Sequence, residues 1–147
     1  MKKLIILLVL PLLFMTSSCQ IKDANGADNY DLSTYTLEDV KNNNIFKSSA
    51  IGKVESGFLN SGFLSVKKFS GQRTLVTRNI KNSDSVKITS TIKSGNLAIF
   101  IKYGDEYHQI PVNTEYTFVY DGTEKYTSVM VVGESARFKV SYDFDIK

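Results

Sequence analysis

The sequence predicts an all-β domain built as an antiparallel sandwich or barrel. From residue 62 onward, apolar and polar residues alternate with the period of two that places successive side chains on opposite faces of a strand. Clusters of Gly, Asn, Ser and Asp interrupt this alternation at short and fairly regular intervals. Several short strands separated in this way are typical of antiparallel sandwiches and barrels. Before residue 45 the sequence has a different character and predicts a signal peptide and a flexible tether.

The first 18 residues have the layout of a secretory signal. Lys2 and Lys3 precede a twelve-residue apolar segment, 4–15, which is shorter than the roughly 20 residues of a membrane span. The segment Thr16-Ser17-Ser18-Cys19 then resembles the lipobox of bacterial lipoproteins, with Thr16 at the position where leucine is usual. The resemblance implies that residues 1–18 are removed and that Cys19 carries the lipid.

A lipid on Cys19 determines the expected location. Two acyl chains anchor a protein stably where one does not. We therefore expect the protein on the outer face of the cytoplasmic membrane, as in Gram-positive bacteria, or on a periplasm-facing leaflet. The alternative is an ordinary secretory signal with an incidental cysteine. Cys19 is the one cysteine of the chain, so it cannot form an internal disulfide.

Residues 19–44 are predicted to form the lipidated cysteine and a polar tether. Their apolar residues are sparse and aperiodic, which favours weak local order. About 25 extended residues span at most about 90 Å. One short helix is expected at 37–40, capped by Thr36 and with Glu38 and Asp39 in its first turn. The folded domain is assigned to 45–147, and its first part, 45–61, has transitional character.

Eight strands are predicted in the domain. Val86 and Ile88 share one face, for example, whereas Lys87 and Thr89 share the other. Residues 97–101 are apolar on both faces, as expected of a central strand. The predicted strands are 62–69, 73–80, 86–93, 97–103, 107–110, 114–120, 126–132 and 136–144. The predicted turns between them include 70–72, 94–96, 103–105, 121–123 and 133–134.

From Phe69 to the C-terminus the pattern resembles a group of small lipoproteins from Gram-positive bacteria. The residues that carry this resemblance lie mostly in turns and core positions, and they cover about half the chain: Phe69-Ser70-Gly71, Thr77 to Asp84, Lys93 to Ile99, Lys125-Tyr126, Val132 to Ala136 and Phe138 to Tyr142. The resemblance implies a jelly-roll-like sandwich. It implies no activity.

Composition argues against several classes of function. Of the 18 basic residues, Lys2 and Lys3 lie in the leader, which leaves 16 against 15 acidic residues. A nearly neutral domain does not favour nucleic acid as a partner. With one histidine and one lipidated cysteine, a His/Cys metal site is not expected, and neither is a cofactor. Asp143 and Asp145 leave open a weak cation site.

Catalytic patterns are equally sparse. His108 is the one histidine, and the chain contains no Gly-x-Ser-x-Gly elbow that would place a nucleophilic serine. Acidic pairs such as Asp105 with Glu106, or Asp121 with Glu124, fall in predicted turns, where acidic residues have local hydrogen-bonding roles. We therefore do not expect an enzyme.

Tyrosines are the residues most suited to binding. A tyrosine offers a flat apolar face and a hydroxyl, which fits sugar or peptide contacts at a rim, although several must also fill the core. The five considered are Tyr103, Tyr107, Tyr116, Tyr120 and Tyr126. The candidate ligand-binding set is Tyr103, Tyr107, His108 and Tyr120.

The sequence therefore favours a non-enzymatic binding or interaction module held at a membrane through Cys19. Its expected partner is a membrane-proximal protein or glycan, because the tether is short. One alternative is an accessory subunit that grips an envelope or membrane complex by a strand edge. An envelope hydrolase is the least favoured alternative.

Overall fold

The computed structural model describes residue 32, residues 34–45 and residues 48–147. Every strand pairing in this part of the chain is antiparallel, which confirms the predicted all-β class. The elements are one helix, α1 (Leu37–Lys41), and seven strands: β1 (Ser49–Ile51), β2 (Val54–Phe58), β3 (Ser61–Ile80), β4 (Ser85–Tyr103), β5 (Glu106–Ile110), β6 (Glu115–Val119) and β7 (Lys125–Asp145). No helix among the residues described is long and apolar enough to cross a bilayer.

Three long strands, in the order β3-β7-β4, form the centre of the sheet and contribute to both layers of the sandwich. The first layer contains residues 61–69, 85–92 and 136–145, with β2 and β6 at its edges. The second layer contains residues 71–80, 97–103 and 125–133, with β5 at one edge. β1 pairs with residues 68–70, at the bend between the two layers.

The predicted turns at 70–72, 94–96 and 133–134 are wrong, because the chain bends there without leaving the sheet. Six of the predicted strands are therefore halves of β3, β4 and β7. The pairing register shifts around Phe69 and around Ser94, as it does at β-bulges. Gly95 has a φ of 74°, and a Cβ there would lie 2.4 Å from the carbonyl oxygen of Ser135. A bend in a strand that requires positive φ and leaves no room for a Cβ favours glycine as strongly as a turn does.

Two other predicted turns are confirmed. Gly104, with a φ of 56°, lies in the short connection between β4 and β5. Residues 121–123 lie between β6 and β7. At these positions the chain leaves one strand and enters another, so the sequence signal and the structure agree.

The main core lies between the layers. Alternating residues of β7 such as Phe138 and Val140 are buried there, whereas Lys139 between them is exposed, as the alternation predicts. The rings of Phe69 and Phe138 meet edge to face with their centroids 5.7 Å apart. Residues 97–101 are all buried, which confirms the prediction of a central strand with two apolar faces.

A second apolar cluster lies on the outer face of the second layer. Ala98, Phe100, Met130 and Val132 form its floor, and residues from before the sandwich cover it. We call this covering segment, residue 32 with residues 34–45, the strap. Val40 and Ile45 of the strap are buried, with exposed fractions of 0% and 7%.

Hydrogen bonds within the strap shape it, and hydrogen bonds to β7 hold it in place. α1 begins with a capping box in which Thr36 and Asp39 satisfy each other's backbone N–H groups, which confirms the helix start predicted at Thr36. The backbone N–H groups of Thr34 and Tyr35 donate to Oε1 of Glu134 at 2.6 and 3.1 Å. The prediction of a weakly ordered tether is therefore wrong for residues 34–44, because their apolar side chains have a sheet face to cover. Residues 19–31 lie outside the described part.

Candidate ligand-binding cleft

Tyr103 and Tyr120, two of the predicted binding residues, belong to the core. Their exposed fractions are 8% and 2%, and their ring centroids lie 4.3 Å apart. Both hydroxyls donate to the carbonyl oxygen of Thr123, and the hydrogen bond from Tyr103 is 3.4 Å long. These rings therefore pack against the turn before β7 and lie in the core, not at the exposed rim where the sequence analysis placed ligand contacts.

The other two predicted residues lie on opposite faces of β5. Tyr107 is half-buried beside the second apolar cluster, and Nζ of Lys102 lies 5.3 Å from its ring centroid. His108 has an exposed side chain, and its Nε2 atom lies 3.4 Å from Oε2 of Glu106. The His108 ring also lies 5.7 Å from Phe118. The four residues predicted as a site therefore do not converge on one.

The outer face of the first layer carries a different candidate, which the sequence analysis missed. A shallow cleft of about 410 Å³ crosses strands β2, β3, β7 and β4. Its lining consists of Ser56, Phe58, Ser61, Gly62, Phe63, Lys87, Thr89, Lys139, Ser141, Tyr142 and Asp143.

Strand register brings these side chains together. Ser141 of β7 lies between Phe63 of β3 and Thr89 of β4, and forms a cross-strand pair with each. One step along the strands, Asp143 lies between Ser61 and Lys87 in the same way. Directly opposite residues on neighbouring strands are in side-chain contact range. The centre of the cleft is therefore two adjoining cross-strand rows on one face of the sheet.

The two sides of the cleft differ in chemistry. The side at the sheet edge is aromatic, with Phe58 79% exposed and Phe63 half-buried under Nζ of Lys139, 5.4 Å from its ring centroid. The other side is polar and charged, with Lys87 next to Asp143. Nζ of Lys87 also lies 4.0 Å from Oε2 of Glu115 on β6. The cleft can thus offer a flat apolar surface and hydrogen-bonding groups to one ligand.

Three carboxyl groups with lowered pKa values have structural roles. The backbone N–H of Lys147, and after it that of Lys81, holds the pKa of the buried Asp84 below its ordinary value, against the opposing effect of burial. Hydrogen bonds from the Thr36 backbone lower the pKa of Asp39 in the strap. The Lys53 ammonium, assisted by Arg73, lowers the pKa of Glu55 at the sheet edge.

A sequence signal for the cleft existed but was incomplete. The outward positions of β3, β4 and β7, such as Phe63, Lys87 and Ser141, follow from alternation. Their convergence depends on the strand order β3-β7-β4, which joins segments far apart in the chain. Within the described ranges, no group of three or more His, Cys, Asp or Glu side chains could hold a metal ion.

No protein-family model and no curated protein matches this sequence. Solved structures do align with it. One is a cupin-2 domain protein from Shewanella frigidimarina, at 13% identity and a TM-score of 0.31, covering 75% of this chain and 93% of that one. Another is a cupin domain from Bordetella pertussis, at 10% identity and a TM-score of 0.31, covering 66% and 97%. A third is a DUF1255 protein of unknown function from Acidithiobacillus ferrooxidans, at 8% identity and a TM-score of 0.22, covering 65% and 92%. Overlaps this low carry no inference about ligand or activity.

Proposed function

We propose that this protein is a lipid-anchored, extracytoplasmic binding module that holds a glycan of the cell envelope in the cleft of its first layer. The observation that carries the proposal is the composition of that cleft, in which Phe58 and Phe63 face Ser, Thr, Lys and Asp side chains. A sugar ring has an apolar face that stacks on aromatic rings and hydroxyls that bond to polar groups. The cleft presents both kinds of partner within one surface.

The anchor supports a membrane-proximal ligand. The signal layout of residues 1–18 and Cys19 lies outside the described residues and remains a prediction from the sequence. Because the strap is docked from Leu32 onward, only 13 residue steps separate Cys19 from the folded domain. Such a segment spans at most about 45 Å, at roughly 3.3–3.6 Å per residue. This is about half the reach expected from sequence alone, so the proposed ligand lies close to the bilayer.

Glycan binding is tested with the full chain extracted from membranes in detergent. Envelope glycan fragments are titrated against the wild type, Phe58→Ala and Tyr126→Ala. Tyr126 is a matched control, because it is an exposed aromatic residue, 73% accessible, that is not part of the cleft. We expect Phe58→Ala to weaken binding at least tenfold and Tyr126→Ala to leave it unchanged. Equal affinities for all three proteins, or no binding by the wild type, would overturn the proposal.

The anchor has its own test. Cys19→Ala should release the protein from the membrane fraction or leave an unprocessed precursor, and labelled palmitate should no longer be incorporated. A Cys19→Ala protein that is processed normally and still sediments with membranes would show that the lipid is not the anchor. Phe58→Ala should not alter the membrane fraction, which separates anchoring from ligand binding.

A further inference from the structure

The β2 edge of the first layer is unusually apolar. Four large hydrophobic side chains between residues 51 and 59 are exposed: Ile51 (64%), Val54 (59%), Phe58 (79%) and Leu59 (69%). In the described part of the chain β2 pairs with β3 alone, so its other edge has no strand partner. Soluble proteins usually protect such an edge with charges or Pro, because it is a template for pairing with another strand.

The charge on this edge is already neutralised. Glu55 is the one charged residue within β2. Its carboxylate oxygens lie 2.8 Å from Nζ of Lys53 and 2.6 Å from a guanidinium nitrogen of Arg73. Both cations belong to this chain, so Glu55 does not present an unpaired charge to an approaching strand. The edge is therefore open to a neighbour without a large electrostatic penalty.

We infer that the occupant of this edge is β2 of a second copy of the chain, paired antiparallel about a two-fold axis at Ser56. In this register Val54 lies opposite the partner's Phe58, Glu55 lies opposite the partner's Gly57, and the two copies of Ser56 face each other. Apolar residues thus meet apolar residues on the outer face, and no like charges oppose each other. A register centred on Glu55 would instead place two carboxylates side by side.

The dimer is a property additional to the proposed glycan binding. It also extends the cleft. Ser56 and Phe58 line the cleft of one copy and also lie on the pairing strand. Pairing places Val54 and Phe58 of the partner beside them, on the same outer face. The two clefts become one continuous surface across a two-fold axis, and each copy contributes aromatic surface to its neighbour's cleft. An isologous contact of this kind closes after two subunits.

Disulfide trapping tests the register in the full-length, membrane-bound chain. Cys19 is expected to be acylated and therefore blocked. Directly paired residues of an antiparallel pair lie about 4.5–5.5 Å apart at Cα, within the range that a disulfide bridges. Ser56→Cys should therefore form a covalent dimer when a mild oxidant is added. Thr117→Cys is the matched control, at the centre of the other edge strand of this layer and also exposed.

Two further variants make the register falsifiable. Val54→Cys alone should stay monomeric, because its counterpart in the second copy would lie about 13 Å away, at roughly 3.3 Å per residue. Val54→Cys mixed with Phe58→Cys should give a heterodimer. A monomeric Ser56→Cys protein would overturn the inference, and so would equal cross-linking of Thr117→Cys or of Val54→Cys alone. Glycan binding by the wild type, together with a Ser56→Cys protein that does not cross-link, would leave the proposed function standing without the dimer.

Discussion

The two outer faces of this sandwich are made by the same three strands but have opposite character. On the second layer the outer face is apolar, with Ala98, Phe100 and Val132, and the strap covers it. On the first layer the corresponding face carries polar residues such as Thr89 and Ser141 and remains open. The difference indicates that the strap completes the fold, whereas the open face is available for a ligand.

The contrast between the covered and the open outer face is tested most strongly by truncating one side chain on each. Phe100→Ala removes a ring that is 1% exposed beneath the strap, and it should cost about 3–5 kcal/mol of unfolding free energy. Thr89→Ala on the open face should change stability by less than about 0.5 kcal/mol. Urea denaturation of the two variants measures both values. Similar losses would mean that the open face is also a packed surface.

Stability in acid tests whether the charge of Asp84 holds one end of the first layer together. Asp84 is fully buried and accepts hydrogen bonds from the backbone N–H groups of Lys81 at 2.8 Å and Lys147 at 2.9 Å. Asp84→Asn should cost about 1.5–3 kcal/mol near neutral pH, as hydrogen bonds to a charged group are lost. The pKa of Asp84 is lowered in the folded state, so its contribution is present above the unfolded pKa. That contribution disappears as the pH falls through the folded pKa.

The stability difference between wild type and Asp84→Asn should therefore shrink in acid. Denaturation of both proteins across a pH series measures it. A difference that stays constant down to the lowest pH would show that packing, and not the charge of Asp84, closes this end of the layer.

The strap should detach when its carboxylate acceptor is removed. Glu134→Ala deletes the group that accepts from Thr34 and Tyr35, and should cost about 1–3 kcal/mol. Hydrogen exchange should accelerate at residues 34–45 before it accelerates in β7. Glu115→Ala on the open layer is the control, since its ion pair with Lys87 is exposed and contributes little. Unchanged exchange in the strap would show that its apolar contacts alone hold it.

The smallest stability effect is expected at the edge of the cleft. Phe58 is 79% exposed, so Phe58→Ala should change the free energy of unfolding by less than about 0.5 kcal/mol. Thermal or urea denaturation measures this change. When the change is small, a loss of ligand binding by Phe58→Ala cannot be attributed to unfolding. A large destabilisation would place Phe58 in the fold and not in a site.

Some features follow from the sequence because their causes are local. Successive side chains in a strand point to opposite faces, so the burial of Phe138 and Val140 and the exposure of Lys139 can be read from alternation alone. The capping box joins Thr36 and Asp39, which are three positions apart, and is equally local. The all-β class and the start of α1 could be predicted from residues that are close together in the sequence.

Other features were decided by partners far away in the chain. Gly95 and Gly104 both adopt positive φ, yet the first bends a continuous strand and the second lies in a turn. After Gly95 the chain resumes its pairing with β7 at Asn96, whereas after Gly104 it reverses into β5, which pairs with β4. Tyr103 and Tyr120 became core residues because β4 and the end of β6 meet at Thr123. Alternation fixes which residues share a face, but strand order and the strap determine whether that face is covered, and both arise from contacts between distant segments.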